Sequence, residues 1–337
     1  MVALSYVTAS NERILKTFPD GLVAVFVGGT SGVGEYTVKT LAKYASKPRV
    51  YIVGRSQEAA DRIIGECKKL NGGGTFEFIK ADVSLLKSVD DVCRQIKSKE
   101  TAINILFESQ GSMGFTQKTP EGLPLASSLV MHSRTRFILN LLPLLQNATS
   151  LRRVVSVQAA TCEGHIDLNN ITGQGFPLSK WRDQLASVQS LLLEEASRRA
   201  PNVSFVHTMP GIVRSGISRD AQGLKMSILF GIFSIIQPLV ETPPTECGER
   251  HVFYATSAMY AARQDTTGVA LENPLSTARG TDGNQGSGTY SIDVKGESAS
   301  RKTEEVLSQF RKDGTAEKVW DYLMGDFKKI TGTEVAA

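Results

Sequence analysis

The sequence predicts an α/β fold, a doubly wound parallel sheet in a single domain with helical additions at its C-terminal end. Three observations carry that reading. Short apolar runs alternate with longer amphipathic segments from residue 22 to residue 211, the pattern of a parallel sheet covered on both faces. The first strand runs directly into a cluster of glycines. No internal repeat and no linker divides the 337 residues. A hydrophobic share of 41% with 21% charged residues excludes a disordered chain, a collagen-like repeat and a disulfide-stapled mini-protein. Lys plus Arg exceeds Asp plus Glu by 38 to 34, and no dense basic run occurs, so nucleic acid is not an expected partner.

The elements follow in order. Residues 22–29 (LVAVFVGG) read as a buried strand, and 35–45 have helical period. A second strand covers 49–56, with a helix over 58–70. The third strand is 75–83, followed by a helix near 86–98. The fourth is 103–111, and one long helix is predicted through 124–146. The fifth is 151–160, then a helix over 182–199 whose last residues Arg198 and Arg199 suit the macrodipole. The sixth is 203–211. Beyond it, 212–245 is an apolar segment, 279–288 a glycine-rich loop and 289–294 a short strand. Helices near 301–312 and 315–330 are expected to pack on the domain formed by residues 1–300.

Four cysteines (Cys67, Cys93, Cys162, Cys247) lie far apart with no CxxC pair. They read as reduced thiols rather than as a metal site or a disulfide frame, and no metal is expected. The N-terminus lacks a signal-peptide pattern, so a cytoplasmic location is expected. The longest apolar run, Met226 to Val240, has 15 residues and carries Gln237 and Pro238. A spanning helix needs about 20. A peripheral membrane contact through that run, and a homodimer contact, remain open.

The first strand ends in Gly28-Gly29-Thr30-Ser31-Gly32-Val33-Gly34 before a helix. Glycine permits the tight turn and lets backbone approach a pyrophosphate, and the helix N-terminus offers free N–H groups. The placement at the first strand-to-helix junction makes this a Rossmann-like dinucleotide site. The second strand ends in Gly54-Arg55-Ser56, with no acidic residue for a ribose 2′-hydroxyl. Arg55 could pair with a 2′-phosphate, so NADP(H) is expected over NAD(H).

GGTSGVG, the run Ala81-Asp82-Val83 and the run Met209-Pro210-Gly211-Ile212-Val213 stand in the order and spacing that resemble the short-chain dehydrogenase/reductase superfamily, over about residues 20–295. The resemblance implies an adenine contact at Asp82 and nicotinamide-end contacts at Pro210, Gly211 and Val213, with Ser215 nearby, and it makes Val83 and Gly111 cofactor-binding as well. The C-terminal part resembles atypical members from fungal secondary metabolism.

The departures concern catalysis. Where the family has NNAG, this chain has Glu108-Ser109-Gln110-Gly111. The stretch Ser156-Val157-Gln158-Ala159 places Ala159 at the family's catalytic Ser. Residues 130–133 contain no Asn, and no Tyr occurs between Tyr51 and Tyr254. The YxxxK pair is therefore missing. One register sets Phe176 and Lys180 there, another Arg182 and Ala186.

Carbonyl reduction needs a proton for the developing alkoxide, and a positioned acid contributes typically about 10²–10⁴-fold. His132, Glu108 and Lys180 are the candidate substitutes, with His165 and His207 behind them. Each has a plainer reading: His132 and His207 as core histidines, Glu108 as a ribose contact, His165 and Lys180 as surface residues. The expected function is an enzyme of this fold acting on a hydrophobic small molecule, a natural-product intermediate, without the Ser-Tyr-Lys relay. Its reaction is read first as redox-neutral isomerisation, cyclisation or dehydration. The alternatives are an NADP-dependent oxidoreductase with a substitute acid and a non-catalytic NADP(H)-binding module.

Overall fold

The computed structural model describes residues 2–220 and 240–336. Most of the apolar segment expected to cover a substrate pocket, including Phe230 and Phe233, lies outside the described residues. Seven strands form one sheet in the order β3-β2-β1-β4-β5-β6-β7. They are β1 (Val23–Val27), β2 (Arg49–Gly54), β3 (Thr75–Lys80), β4 (Ile105–Glu108), β5 (Arg153–Val157), β6 (Ser204–Thr208) and β7 (Thr289–Ile292). All named pairings are parallel. The chain winds outward from β1 through β2 to β3, then returns to place β4 on the other side of β1. That reversal opens a crevice at the carboxyl ends of β1 and β4.

Every residue of β1 is buried, as expected of a strand covered on both faces. Ala24 and Phe26 join Phe107, Val155 and Val206 in one core, together with Phe253 and Tyr254. Val25 and Val27 face the other way, toward Leu106, Val154, Phe137 and Leu141. The first layer contains α3 (Gly32–Tyr44), α4 (Gln57–Leu70) and α9 (Pro244–Thr256); the second contains α5 (Leu86–Lys97), α7 (Arg134–Asn147) and α8 (Leu178–Arg199). Two helices the sequence reading did not anticipate, α1 (Leu4–Glu12) and α2 (Ile14–Thr17), precede β1. Asn11 fixes α1 to α9 by donating to the Glu249 carboxylate at 2.7 Å.

The long helix predicted over 124–146 is broken. A short turn, α6 (Leu125–Ser127), leads into a π turn at Ser128–Ser133, and α7 continues from Arg134. A π turn rotates the side chains that follow it relative to a regular helix, and such turns are frequent at functional sites. Leu129 and Val130 here reach the crevice, while Met131 joins a third core on the outer side.

That third core unites α8 with α10 (Arg301–Lys312) and α11 (Thr315–Thr331), through Leu185, Leu192, Leu307, Leu323 and Phe327. Ser300 caps α10 by accepting from the Thr303 amide. Gly314 and Gly332, both at positive φ, bound α11. The tail is clamped by wholly buried Arg136, which donates to both Asp90 oxygens at 2.7 and 2.8 Å and to the Thr333 carbonyl at 2.8 Å. The Ala336 amide donates to Asn140 Oδ1 at 2.8 Å. Among the described residues no helix is long and apolar enough to cross a membrane.

Candidate active site

The crevice is a cavity of about 680 Å³. Its floor is the glycine turn, whose glycines are required by close approach. Gly28 has φ +81°, and a Cβ on it would stand 2.7 Å from the Gln110 amide nitrogen. A Cβ on Gly34 would stand 2.5 Å from the Gly28 carbonyl oxygen. Thr30 packs over Gly54 so closely that a Cβ there would meet its hydroxyl at 2.7 Å. The helix N-terminus that follows has no side-chain cap from Ser31, which leaves its first amides open toward the cavity.

Eleven of the thirteen residues expected to hold a dinucleotide line this cavity. They are Gly28, Thr30, Ser31, Val33 and Arg55, then Asp82, Val83 and Gly111, and finally Pro210, Gly211 and Val213. Gly32 and Gly34 stand just behind the wall, where they admit Ser215 and the Gly28 carbonyl. The Asp82 carboxylate is fixed by the Ser84 hydroxyl at 2.8 Å. Arg55 extends to within 3.6 Å of Asp220, which also accepts from Ser112 at 2.9 Å. Residues 211–220 thus pass along the mouth, tied to the loop after β4 by the Met113 amide donating to the Ile217 carbonyl at 3.0 Å.

At the other end of the cavity stand Gln158, Ala159 and Arg182, with Met113, Phe115, Leu129 and Trp181 forming an apolar wall. The Phe115 and Trp181 rings meet edge to face at 5.0 Å. Among the described residues no tyrosine lines the cavity. Arg182, 47% exposed, donates to Asp183 at 2.8 Å, which raises the guanidinium pKa and keeps it charged. Ala186, one turn along α8, is wholly buried. The register that sets Arg182 and Ala186 at the Tyr and Lys positions is therefore the one that places a side chain in the cavity.

The model of the short chain dehydrogenase family matches residues 22–123. Oxidoreductase AN1596 of Emericella nidulans is 37% identical over 96% of this chain and 97% of its own length. Short-chain dehydrogenase/reductase SAT2 of Stachybotrys chartarum is 30% identical over 89% of this chain and 90% of its own. The chain belongs to the short-chain dehydrogenase/reductase family. Among solved structures of the same fold, L-sorbose reductase of Gluconobacter frateurii, complexed with NADPH and L-sorbose, covers 75% of this chain and 94% of its own, at 16% identity and a TM-score of 0.52.

Within this family member the three expected acids do not reach the cavity wall. His132 is wholly buried on the outer side of the π turn, with Nε2 2.9 Å from Asp326 Oδ2 on α11. Tyr322 and Phe327 enclose its ring. Glu108, the last residue of β4, is wholly buried beneath the turn, and neither carboxyl oxygen has a hydrogen-bond partner. Burial pushes its pKa well above the usual carboxylate range. Lys180 is exposed, with Nζ 3.6 Å from the Phe176 ring centroid. The pocket that Phe176 lines is a separate one of about 230 Å³.

His207 pairs through Nδ1 with Ser190 at 3.0 Å, and burial pushes its pKa down to about 3. It is a core histidine. His165 is exposed. Among the described residues no group of three His, Cys, Asp or Glu could hold a metal ion.

The sequence reading missed Arg134. It is wholly buried yet lines the cavity, donating to the Ser156 hydroxyl at 2.8 Å and to the Gln110 carbonyl at 2.7 Å. An arginine opening the helical stretch that continues as Phe137-Ile138-Leu139 was the available signal. A charged residue is rarely buried without a polar site to receive it.

Proposed function

We propose that this chain is an NADP(H)-dependent oxidoreductase of an apolar small molecule, with Arg182 standing where the family has its phenol. The observation that carries the reading is one cavity joining a dinucleotide cradle to an apolar end that holds a guanidinium. The cradle fits the group: its glycines are required by the close approach of the turn's own backbone, and its helix N-terminus is uncapped. Thr30, Ser31 and the first amides of α3 would hold the pyrophosphate. Asp82 would face adenine, Arg55 the 2′-phosphate, and the 210–213 turn the nicotinamide end. The NADPH complex of L-sorbose reductase supports this placement through the shared fold.

Bound NADPH supplies a hydride. The chain's own part is to seat the substrate and stabilise the oxygen that gains charge. A guanidinium does this electrostatically but does not give up a proton at neutral pH. The final proton then comes from water at the mouth. An enone or another conjugated carbonyl suits such a site, because charge spread over an enolate needs a cation more than an immediate acid. Phe115, Leu129 and Trp181 select an apolar skeleton of natural-product type.

A second reading, a redox-neutral isomerisation, cyclisation or dehydration, is favoured by Ala159 and Ala186 at the relay positions. NADPH absorbance measured against product formed, over a panel of apolar enones and ketones, separates the two. The oxidoreductase reading predicts one NADPH consumed per product. It also predicts a rate at least about tenfold lower in Arg182→Leu with NADPH affinity retained. Product without NADPH loss would establish the second reading instead.

A further inference from the structure

Arg134 differs from Arg55 and Arg182, two of the other three arginines on the cavity wall. Arg55 and Arg182 are 55% and 47% exposed, and each has a carboxylate within 4 Å. Arg134 is 1% exposed, and both groups it donates to, the Ser156 hydroxyl and the Gln110 carbonyl, are uncharged. Those two partners lie at the ends of β4 and β5, next to Gly111 and within three residues of Ala159. The guanidinium therefore sits at the end of the cavity assigned above to the nicotinamide.

Among the described residues no carboxylate forms an ion pair with Arg134, and Glu108 acts on it only at longer range. Glu108 itself accepts no hydrogen bond. Burial raises the Glu108 pKa and favours its protonated form, against the smaller opposing pull of the Arg134 charge. His207, paired in register with Ser156, is held neutral by burial and by Arg134 itself. Arg134 is pushed down to about 10 and remains a cation at neutral pH.

We propose that Arg134 is a charge-selecting residue that makes the cavity take the reduced coenzyme in preference to the oxidised one, poising the protein for reduction. The inference rests on the dinucleotide reading above. The oxidised nicotinamide ring carries a positive charge and the reduced ring none, while the phosphates are the same in both. A fixed cation at that end repels only the oxidised ring, and the low dielectric of a buried site lengthens the reach of that repulsion. The family's Lys position is Ala186 here, so the positive charge enters from α7 instead.

The test is calorimetric: dissociation constants for NADPH and NADP⁺ with the full chain, for wild type, Arg134→Met, Arg134→Lys and Glu108→Gln. Wild type should prefer NADPH by about tenfold, the size expected of like charges several ångströms apart in a partly buried site. Arg134→Met should bring the preference to about threefold or less, and Arg134→Lys should restore it. Glu108→Gln should leave it unchanged, because burial favours the protonated carboxyl that the amide replaces. The proposal is overturned if wild type shows no preference or if Arg134→Met keeps it. It is equally overturned if Glu108→Gln raises the preference, since that would reveal a compensating carboxylate. Should Arg134→Met not fold, the wild-type ratio and the Glu108→Gln comparison can still overturn the proposal. Failure of wild type to bind either form would overturn the dinucleotide reading itself.

Discussion

The His132 imidazole and the Asp326 carboxylate stand 2.9 Å apart and join the π turn beside the cavity to helix α11. A residue whose chemistry suggests an acid is thus a tether between the sheet domain and its C-terminal helices. Asp326→Ala leaves a buried imidazole without its partner, which costs about 1–3 kcal/mol. The expected result is a melting temperature lower by roughly 2–8 °C with NADPH affinity within about twofold. Thermal unfolding and calorimetry check both halves. A collapse of NADPH affinity in a folded variant would return His132 to the site.

The glycine turn gives a paired prediction. Gly34→Ala sets a Cβ 2.5 Å from the Gly28 carbonyl, and that backbone cannot yield without opening the turn. NADPH affinity should fall at least about tenfold. Gly325, within α11, has nothing within 4 Å of its added Cβ. Gly325→Ala should therefore stabilise the fold by about 0.5–1 kcal/mol, read by denaturant unfolding, with no change in cofactor binding.

Thiol chemistry separates the cysteines. Burial pushes Cys67 and Cys247 up to about 12 and raises Cys93 as well. Cys162 is also raised but is partly exposed. At pH 8 a disulfide reagent should modify one thiol in the native protein, at Cys162, and all four after denaturation. Rapid native modification of a second cysteine would contradict the packing around it.

His251 provides a pH prediction with a definite sign. Burial holds its folded pKa down at about 4, below the unfolded value of about 6.5. The folded state therefore binds this proton less well than the unfolded state. Its contribution to stability is present above pH 6.5 and is lost as pH falls toward 4. The difference in unfolding free energy between wild type and His251→Leu should shrink by about 1–2 kcal/mol between pH 7 and pH 5. A difference independent of pH would contradict a neutral buried imidazole.

Legibility in the sequence divides along physical lines. The order of strands, the glycine turn and the places of Asp82 and Pro210–Val213 on the cavity wall were readable, because a parallel sheet writes continuous apolar runs and its loops gather at strand ends. The acids were not. A period of apolar residues reports that 124–146 is helical but not that a π turn rotates it, and that rotation decides which of His132 and Arg134 faces the cavity. Glu108 was misread for a different reason: it ends a strand like a site residue, yet the turn of Ser109 and Gln110 closes over it. The clamp of Arg136 on the tail depends on residues 197 apart in sequence, a pairing that no local pattern announces.

The account depends most on the cavity being a coenzyme site that recognises a 2′-phosphate through Arg55. The direct measurement is a fluorescence titration of NADPH and NADH into wild type and Arg55→Ala. One equivalent of NADPH should bind wild type, and Arg55→Ala should weaken NADPH at least about tenfold while changing NADH by less than about twofold. Absence of saturable NADPH binding to the wild-type chain, or equal losses for both coenzymes, would contradict it.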